Sequence, residues 1–232
     1  MPPSPAAIRP ADLTPMPYGR ANSKNVKNPI WEPHWDGIRT LVDVFGREVR
    51  IRDEDGDPVD GFDALREAIR AAVQADEAVL DGYLLPAPLQ ETTGIDTAPG
   101  LDTVPTPAEL GRQFILGGGG SDKRRDALEA GQRRREALPS TSPTAFVAID
   151  LLWLDGEALV DVPLAERKRL LDTVLVDGDI VRRTVSVRGP VEAWFAQWRA
   201  FGFREVAAKD ANSRYTPGTP QKDWATAVIP RR

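Results

Sequence analysis

Apolar and polar positions along the chain fall into two periodicities. β-type runs at Thr40–Phe45 and Glu48–Arg52, and at Ala145–Trp153 and Ala158–Val160, read as antiparallel hairpins. Six Asp-Gly pairs punctuate the chain, at Asp36-Gly37, Asp55-Gly56, Asp60-Gly61, Asp81-Gly82, Asp155-Gly156 and Asp177-Gly178. Asp-Gly supplies the positive φ that tight hairpin turns require. Helical spacing takes over in three stretches. Asp63–Ala75 places Leu65, Ile69, Ala72 and Val73 on one face. Pro163–Leu175 opens with proline and carries Leu164, Leu170, Leu171 and Val174. Val191–Phe201 carries Trp194, Phe195 and Trp198. Each stripe reads as core packing, and hairpins mixed with packed helices predict an α+β fold.

The remaining segments lack periodicity. Residues 1–29 are rich in Pro and Asn and read as an extended arm over the surface; order is expected from residue 30 to 232. That domain carries a long, partly flexible insertion at about 86–140, with five prolines between 86 and 107 and the run Gly117–Gly120. Within it, Ser121–Leu138 looks helical and holds two clusters, Lys123-Arg124-Arg125 and Arg133-Arg134-Arg135. Spaced ten residues apart, they would lie about 15 Å apart on a helix. Residues 53–110 hold 14 acids and two bases, whereas 111–140 hold seven bases and four acids. The basic stretch is a solvated helix attracted to the acidic half, or a contact for nucleic acid or a partner protein.

Composition narrows the chemistry. The 232 residues are 41% hydrophobic and 28% charged, an ordinary globular balance. No apolar run approaches the roughly 18 residues of a membrane span. Met1-Pro2-Pro3-Ser4-Pro5 has no basic patch before an apolar core, so no secretory signal and a cytoplasmic location are expected. With no cysteine, disulfides and thiolate metal sites are excluded; with His34 as the one histidine, so is a multi-histidine metal cage. A net charge of −5 makes any nucleic-acid contact a matter of local patches. Lysines number six against 24 arginines, which leaves few candidates for a chemistry that needs an amine.

Several blocks, in order, resemble the covalent nucleotidyltransferases, the ATP-dependent DNA ligases and mRNA-capping enzymes. Glu32-Pro33-His34-Trp35-Asp36-Gly37-Ile38-Arg39 is similar to the first motif, Lys-x-Asp-Gly-x-Arg, and Leu13-Thr14-Pro15-Met16 to the segment before it. Ala78–Tyr83 resembles the Leu-Asp-Gly-Glu block, and Phe146–Gly156 with Pro163–Lys168 the Phe-Asp-Leu-Leu-x-Leu-Asp-Gly block and the helix start after it. Gly202–Asp210 resembles Glu-Gly-Val-Val-Ala-Lys; Ser213–Gly218 and Lys222-Asp223-Trp224 complete the series. The resemblance runs from about residue 10 to 228 and is closest to bacterial ATP-dependent DNA ligase adenylation domains. It implies an ATP-grasp-like nucleotidyltransferase fold of two antiparallel sheets flanked by helices, with nucleotide between the sheets. No C-terminal oligonucleotide-binding domain is expected after the last block.

Adenylyl transfer in that family needs a deprotonated lysine to attack the α-phosphate of ATP, with lysines and Mg²⁺ neutralising the phosphates. By resemblance, His34 stands at the nucleophile position, Tyr83 at the glutamate after Leu-Asp-Gly, and Ile149 at the adenine-stacking phenylalanine. Arg204 stands at the metal-linked glutamate, inverting that charge, with Glu205 where glycine is usual. Thr226 and Val228 replace the two lysines after Trp224. A neutral hydrogen bond from Thr226 is worth about 0.5–1.5 kcal/mol, against about 1.5–3 for a charged donor. Asp36, Gly37, Arg39, Asp81, Gly82, Asp150 and Lys209 match the family, and Arg39 and Lys209 are the cations expected to point into the cleft. Tyr83 is expected to pack among Trp31, Trp35 and Trp153.

His34 then has three readings: a residue filling a vacated cleft, an imidazole nucleophile, or a non-covalent ligand contact. A lysine reaches about two atoms further, which would change the attack geometry. The resulting expectation is a ligase-like domain without the adenylation lysine and most catalytic charges: a non-catalytic pseudoenzyme of DNA repair and recombination. Its partner would be an active DNA ligase or another repair protein, with weak DNA contact. The alternatives are an active ligase with unorthodox residues and a non-covalent nucleotide sensor. ATP and Mg²⁺ enter only through the resemblance, and no protein-held metal site is expected.

Overall fold

Two strands buried on both faces, Glu77–Leu85 and Ala145–Leu154, organise the fold. The computed structural model describes residues 8–85 and 145–230, and all structural statements refer to these. In chain order the elements are β1 (Pro29–Pro33), β2 (Ile38–Phe45), β3 (Glu48–Asp53), α1 (Asp63–Ala72), β4 (Glu77–Leu85), β5 (Ala145–Leu154) and β6 (Glu157–Ala158). There follow α2 (Leu164–Val174), β7 (Val181–Arg183), β8 (Val187–Arg188), α3 (Glu192–Ala200), β9 (Glu205–Asp210) and β10 (Trp224–Val228). The larger sheet has the order β3-β2-β4-β5-β6, with β7 also beside β5; the smaller has the order β10-β9-β1-β8. All pairings are antiparallel except β5 with β7.

Side-chain alternation on the central strands creates two cores. Val79, Tyr83 and Leu85 of β4, with Val147 and Ile149 of β5, join Ile30, Val206 and Trp224 of the smaller sheet. Leu80 and Leu84, with Phe146, Ala148 and Leu151, face the helices and meet Leu65 and Ile69 of α1 and Leu171 and Val174 of α2. Strands covered on both faces lose their alternation in sequence, so β4 and β5 read as continuous apolar runs.

The expected hairpins form at β2–β3 and β5–β6, the latter turning on Asp155 and Gly156 with φ of 41° and 90°. The helices form where the spacing places them, with shorter ends. α1 stops at Ala72 because Val73 turns extended and bridges to Leu175. Pro163 caps α2 rather than starting it. The face α2 buries is Leu164, Arg167, Lys168, Leu171 and Val174, so two cations occupy the centre of a stripe read as apolar. Residues 8–28 are anchored rather than merely lying over the surface. Leu13 and Met16 are fully buried in the core between the sheets, Arg52 donates to the carbonyls of Pro10 and Leu13, and Met16 N donates to the Tyr215 hydroxyl. No helix among the described residues is long and apolar enough to cross a membrane.

The Asp-Gly pairs have two different roles. Gly56, Gly61 and Gly156 have positive φ, as turns require, but Gly37 and Gly82 do not. They are glycines because backbone approaches them. A Cβ on Gly82 would lie 2.3 Å from the Val147 carbonyl oxygen and 2.5 Å from the Phe146 ring; one on Gly37 would lie 2.4 Å from the Leu84 carbonyl oxygen. Gly82→Ala is expected to cost about 3 kcal/mol, since overpacking against backbone has no cheap relief. That lowers Tm by roughly 6–12 °C for a domain of this size. Gly178→Ala, whose Cβ would find its nearest neighbour 3.8 Å away, is expected to leave Tm nearly unchanged. Equal melting of the two variants would contradict this packing.

Candidate functional site

The register of the smaller sheet lays out the site. Ile30 pairs with Lys209 and Lys209 with Trp224; Glu32 pairs with Ala207 and Ala207 with Thr226. Glu205 pairs with Val228 and its carbonyl accepts from His34 N at 3.0 Å. The face therefore carries three rows: Ile30, Lys209 and Trp224; Glu32, Ala207 and Thr226; His34, Glu205 and Val228. Burial falls along the rows. Lys209 and Trp224 are fully buried, whereas Val228 is 70% exposed. From the larger sheet, the register pairs Arg39 with Tyr83 and Leu41 with Asp81, which places Arg39, Asp81 and Tyr83 on one face. Ile149 is buried in the core between the sheets.

Three buried charge clusters hold this cleft. Glu32, 1% exposed, sits between two amines: Lys209 Nζ donates to its Oε2 at 2.7 Å, and Lys168 Nζ from α2 pairs with its Oε1. Ser186 Oγ donates to the same Oε1 at 2.9 Å. Burial alone would raise the Glu32 pKa, but the two ammoniums overcome it and lower it below the usual carboxylate value. Lys168 is lowered too, by burial first and by Lys209 beside it, against the raising effect of Glu32. Lys209 Nζ also lies 4.2 Å from the Trp224 ring centroid. In the second cluster, Arg39 donates twice to Asp81, at 2.5 and 2.6 Å, and once to the Tyr83 hydroxyl at 2.9 Å. Tyr215 donates to Asp81 at 2.7 Å. In the third, Arg167 donates twice to Asp150, at 2.9 and 2.7 Å, with both side chains fully buried. Arg167 also lies 5.7 Å from the Tyr215 ring, which ties this pair to the second cluster.

His34 sits where the cleft opens, with its side chain 26% exposed. Its Nδ1 is 3.5 Å from Glu205 Oε2, and its ring is 5.2 Å from Tyr18 and 6.2 Å from Tyr83. The charge reversal read at Arg204 does not reach this point. Arg204 is exposed just before β9, and the carboxylate beside His34 is that of Glu205, one residue on. Arg39 and Lys209 do line the cleft, but each is already joined to a carboxylate. Tyr83 packs on His34 and on Arg39, whose Cζ is 5.0 Å from its ring. Trp35 instead crosses Phe203 at 5.0 Å and donates to Thr184 Oγ1. Asp36 is exposed in the loop between β1 and β2, and Gly37 packs against β4. The basic clusters Lys123, Arg124, Arg125 and Arg133, Arg134, Arg135 lie outside the described residues.

Several residues at this site escaped the sequence reading: Glu32, Lys168, Tyr18, Tyr215 and, as a cleft carboxylate, Glu205. Two had a signal. Glu32 is two positions from His34 in a strand, and Lys168 is four positions from Leu164 in a helix; each shares its neighbour's face. Tyr18 had none. Among the described residues, no three carboxylate or imidazole groups converge where they could hold a metal ion.

The family model for the ATP dependent DNA ligase domain matches residues 114–226. A DNA ligase of Methanothrix thermoacetophila is 30% identical over 193 residues, covering 82% of this chain and 30% of that protein. A multifunctional non-homologous end joining protein LigD of Mycolicibacterium smegmatis is 28% identical over 220 residues, covering 93% of this chain and 24% of that protein. The chain thus spans about a quarter to a third of the length of these curated relatives. Among solved structures, the ligase domain of LigD from M. tuberculosis superposes with a TM-score of 0.62 at 25% identity, covering 95% of this chain and 61% of that one. Mycobacterial DNA ligase D in complex with ATP superposes with a TM-score of 0.64 at 24% identity, which speaks to the fold.

Proposed function

Because this chain is an adenylation domain of the ATP-dependent DNA ligase type, we propose that it is a non-catalytic one, which forms no covalent adenylate and serves DNA repair as a binding or assembly subunit. The observation that carries this reading is the pairing of the cleft's charges. Covalent transfer needs an amine free to lose its proton and cations free to meet phosphate oxygens. Lys209 and Lys168 share Glu32, Arg39 is bound to Asp81, and the nucleophile position holds His34. Thr226 and Val228 add no charge on the same face. The carboxylates are engaged as well: Glu32 by two ammoniums, Asp81 by a guanidinium and a phenol, Glu205 facing His34 at 3.5 Å. These engaged carboxylates do not fit Mg²⁺, which leaves the cleft a nucleotide-type site that does not react.

The surface this subunit offers a partner is α3 with the residue that caps it, where Trp194, Phe195 and the cap Phe201 are half-buried around the fully buried Trp198. The partner would be an active DNA ligase or another repair protein, and direct DNA contact would be weak. A second reading has one observation in its favour: a carboxylate beside His34 is an arrangement that could orient an imidazole nucleophile.

The test is a joining reaction. The purified chain, with ATP, Mg²⁺ and a nicked duplex carrying a 5′-phosphate, is expected to join nothing above background. Joining that disappears in His34→Ala would establish the second reading.

A further inference from the structure

Tyr18 carries the N-terminal segment into the cleft beyond its fully buried anchors, Leu13 and Met16. Its ring stands 5.2 Å from that of His34 and 5.7 Å from that of Trp224. Two cations lie against it, Arg39 Cζ at 5.7 Å and Lys209 Nζ at 5.9 Å from its centroid, within the roughly 6 Å range of cation–π attraction. Four of the groups that line the cleft thus converge on one ring supplied by the chain itself. A ligand seated against His34, Arg39 and Lys209 together would need the same space.

The segment is fastened on both sides of this ring. Upstream, Leu13 and Met16 are fully buried, and Met16 N donates to the Tyr215 hydroxyl at 2.7 Å. Downstream, Gly19 N donates to the Trp224 carbonyl at 2.8 Å, and Tyr18 bridges to Gln221. This clamp needs glycine at 19, because a Cβ there would lie 2.1 Å from the Gln221 carbonyl oxygen.

We infer that Tyr18 is an internal aromatic occupant of the cleft, and that the strap of residues 14–20 decides whether the cleft accepts an external ligand. The inference rests on the reading of the cleft as a nucleotide-type site that does not react. Occupation by the ring leaves only the fraction of molecules with the strap displaced able to bind, so apparent affinity falls by that fraction. With the displaced state at roughly 1–10%, removing the ring tightens binding by about 10–100-fold.

The experiment is calorimetric titration of the full chain with ATP and, separately, AMP. Wild type is compared with Tyr18→Ala, Tyr18→Phe and Gly19→Ala, with melting curves for each. Tyr18→Ala is expected to bind at least tenfold more tightly than wild type, and Tyr18→Phe, which keeps the ring, to match wild type. Gly19→Ala keeps the ring but breaks the clamp, and is expected to bind more tightly as well. It also decides the matter if Tyr18→Ala does not fold. Equal affinity of wild type and the opened variants, or folded opened variants that bind neither nucleotide, overturns the inference. The covalent question stays separate. Tight binding by Tyr18→Ala with an AMP adduct would leave Tyr18 as the occupant and overturn the non-catalytic reading; tight binding without an adduct supports both.

Discussion

Arg167→Met is expected to lower the stability of the fold by about 3–5 kcal/mol, because it strands a buried carboxylate. Asp150 is fully buried, and its charge partner is the Arg167 guanidinium, which donates to both its oxygens. A further donor, Leu151 N at 2.9 Å, remains in the variant but carries no charge. Arg167 also supplies Nη1 to the carbonyls of Val162 and Ser213, so its loss unfastens the start of α2 from the segment that carries Tyr215. Replacing both partners, as Asp150→Leu with Arg167→Met, is expected to cost less than the single change, because a buried ion pair can be exchanged for apolar packing at little or no net cost. Urea denaturation of the wild type, the two single variants and the double variant measures the coupling. A single-variant cost below about 1 kcal/mol, the range of exposed pairs, would contradict the burial of this pair.

Glu32→Gln is expected to cost a similar amount at pH 7, about 3–5 kcal/mol, by leaving two buried amines facing each other without a carboxylate. Its pH dependence separates it from a simple packing defect. Glu32 has a lowered pKa in the folded state, so its stabilisation is present above the unfolded carboxylate value of about 4.3 and is lost as pH falls through the folded value. Lys168 is a base with a lowered pKa. The unfolded chain therefore holds the proton more tightly, and stability rises with pH between the folded value and the unfolded value of about 10.4. Removing the carboxylate deepens the lysine shift. The variant should thus lose this residue's share of the acid-side drop and show a steeper gain in stability from pH 7 towards pH 10. Parallel pH profiles for the two proteins would argue against a buried triad.

Features governed by neighbours in the chain are legible in the sequence. β2–β3 and β5–β6 follow from local β-type runs, and α1 and α2 from apolar spacing, to within a few residues at their ends. The order of motif blocks led to the two-sheet architecture, which fold and likeness bear out. What was missed depends on contacts between distant segments. Gly37 and Gly82 looked like turn residues, and only the crossing of β4 by its neighbours shows that they clear space for backbone. Lys168 was passed over because apolar spacing counts a lysine as surface; it is buried because Glu32, 136 positions earlier, waits opposite it. Arg204 and Glu205 differ by one position, and strand pairing with His34 was needed to learn which one meets the cleft. Tyr18 belongs to a segment with no period, and its neighbours His34, Arg39, Lys209 and Trp224 are spread over most of the chain.

The central claim, that this ligase-type domain carries no adenylate, is tested most directly by the intact mass of the purified chain before and after incubation with ATP and Mg²⁺. The predicted result is one unchanged mass in both samples. A fraction heavier by one adenylyl group, absent in His34→Ala, would contradict the claim and make His34 the nucleophile.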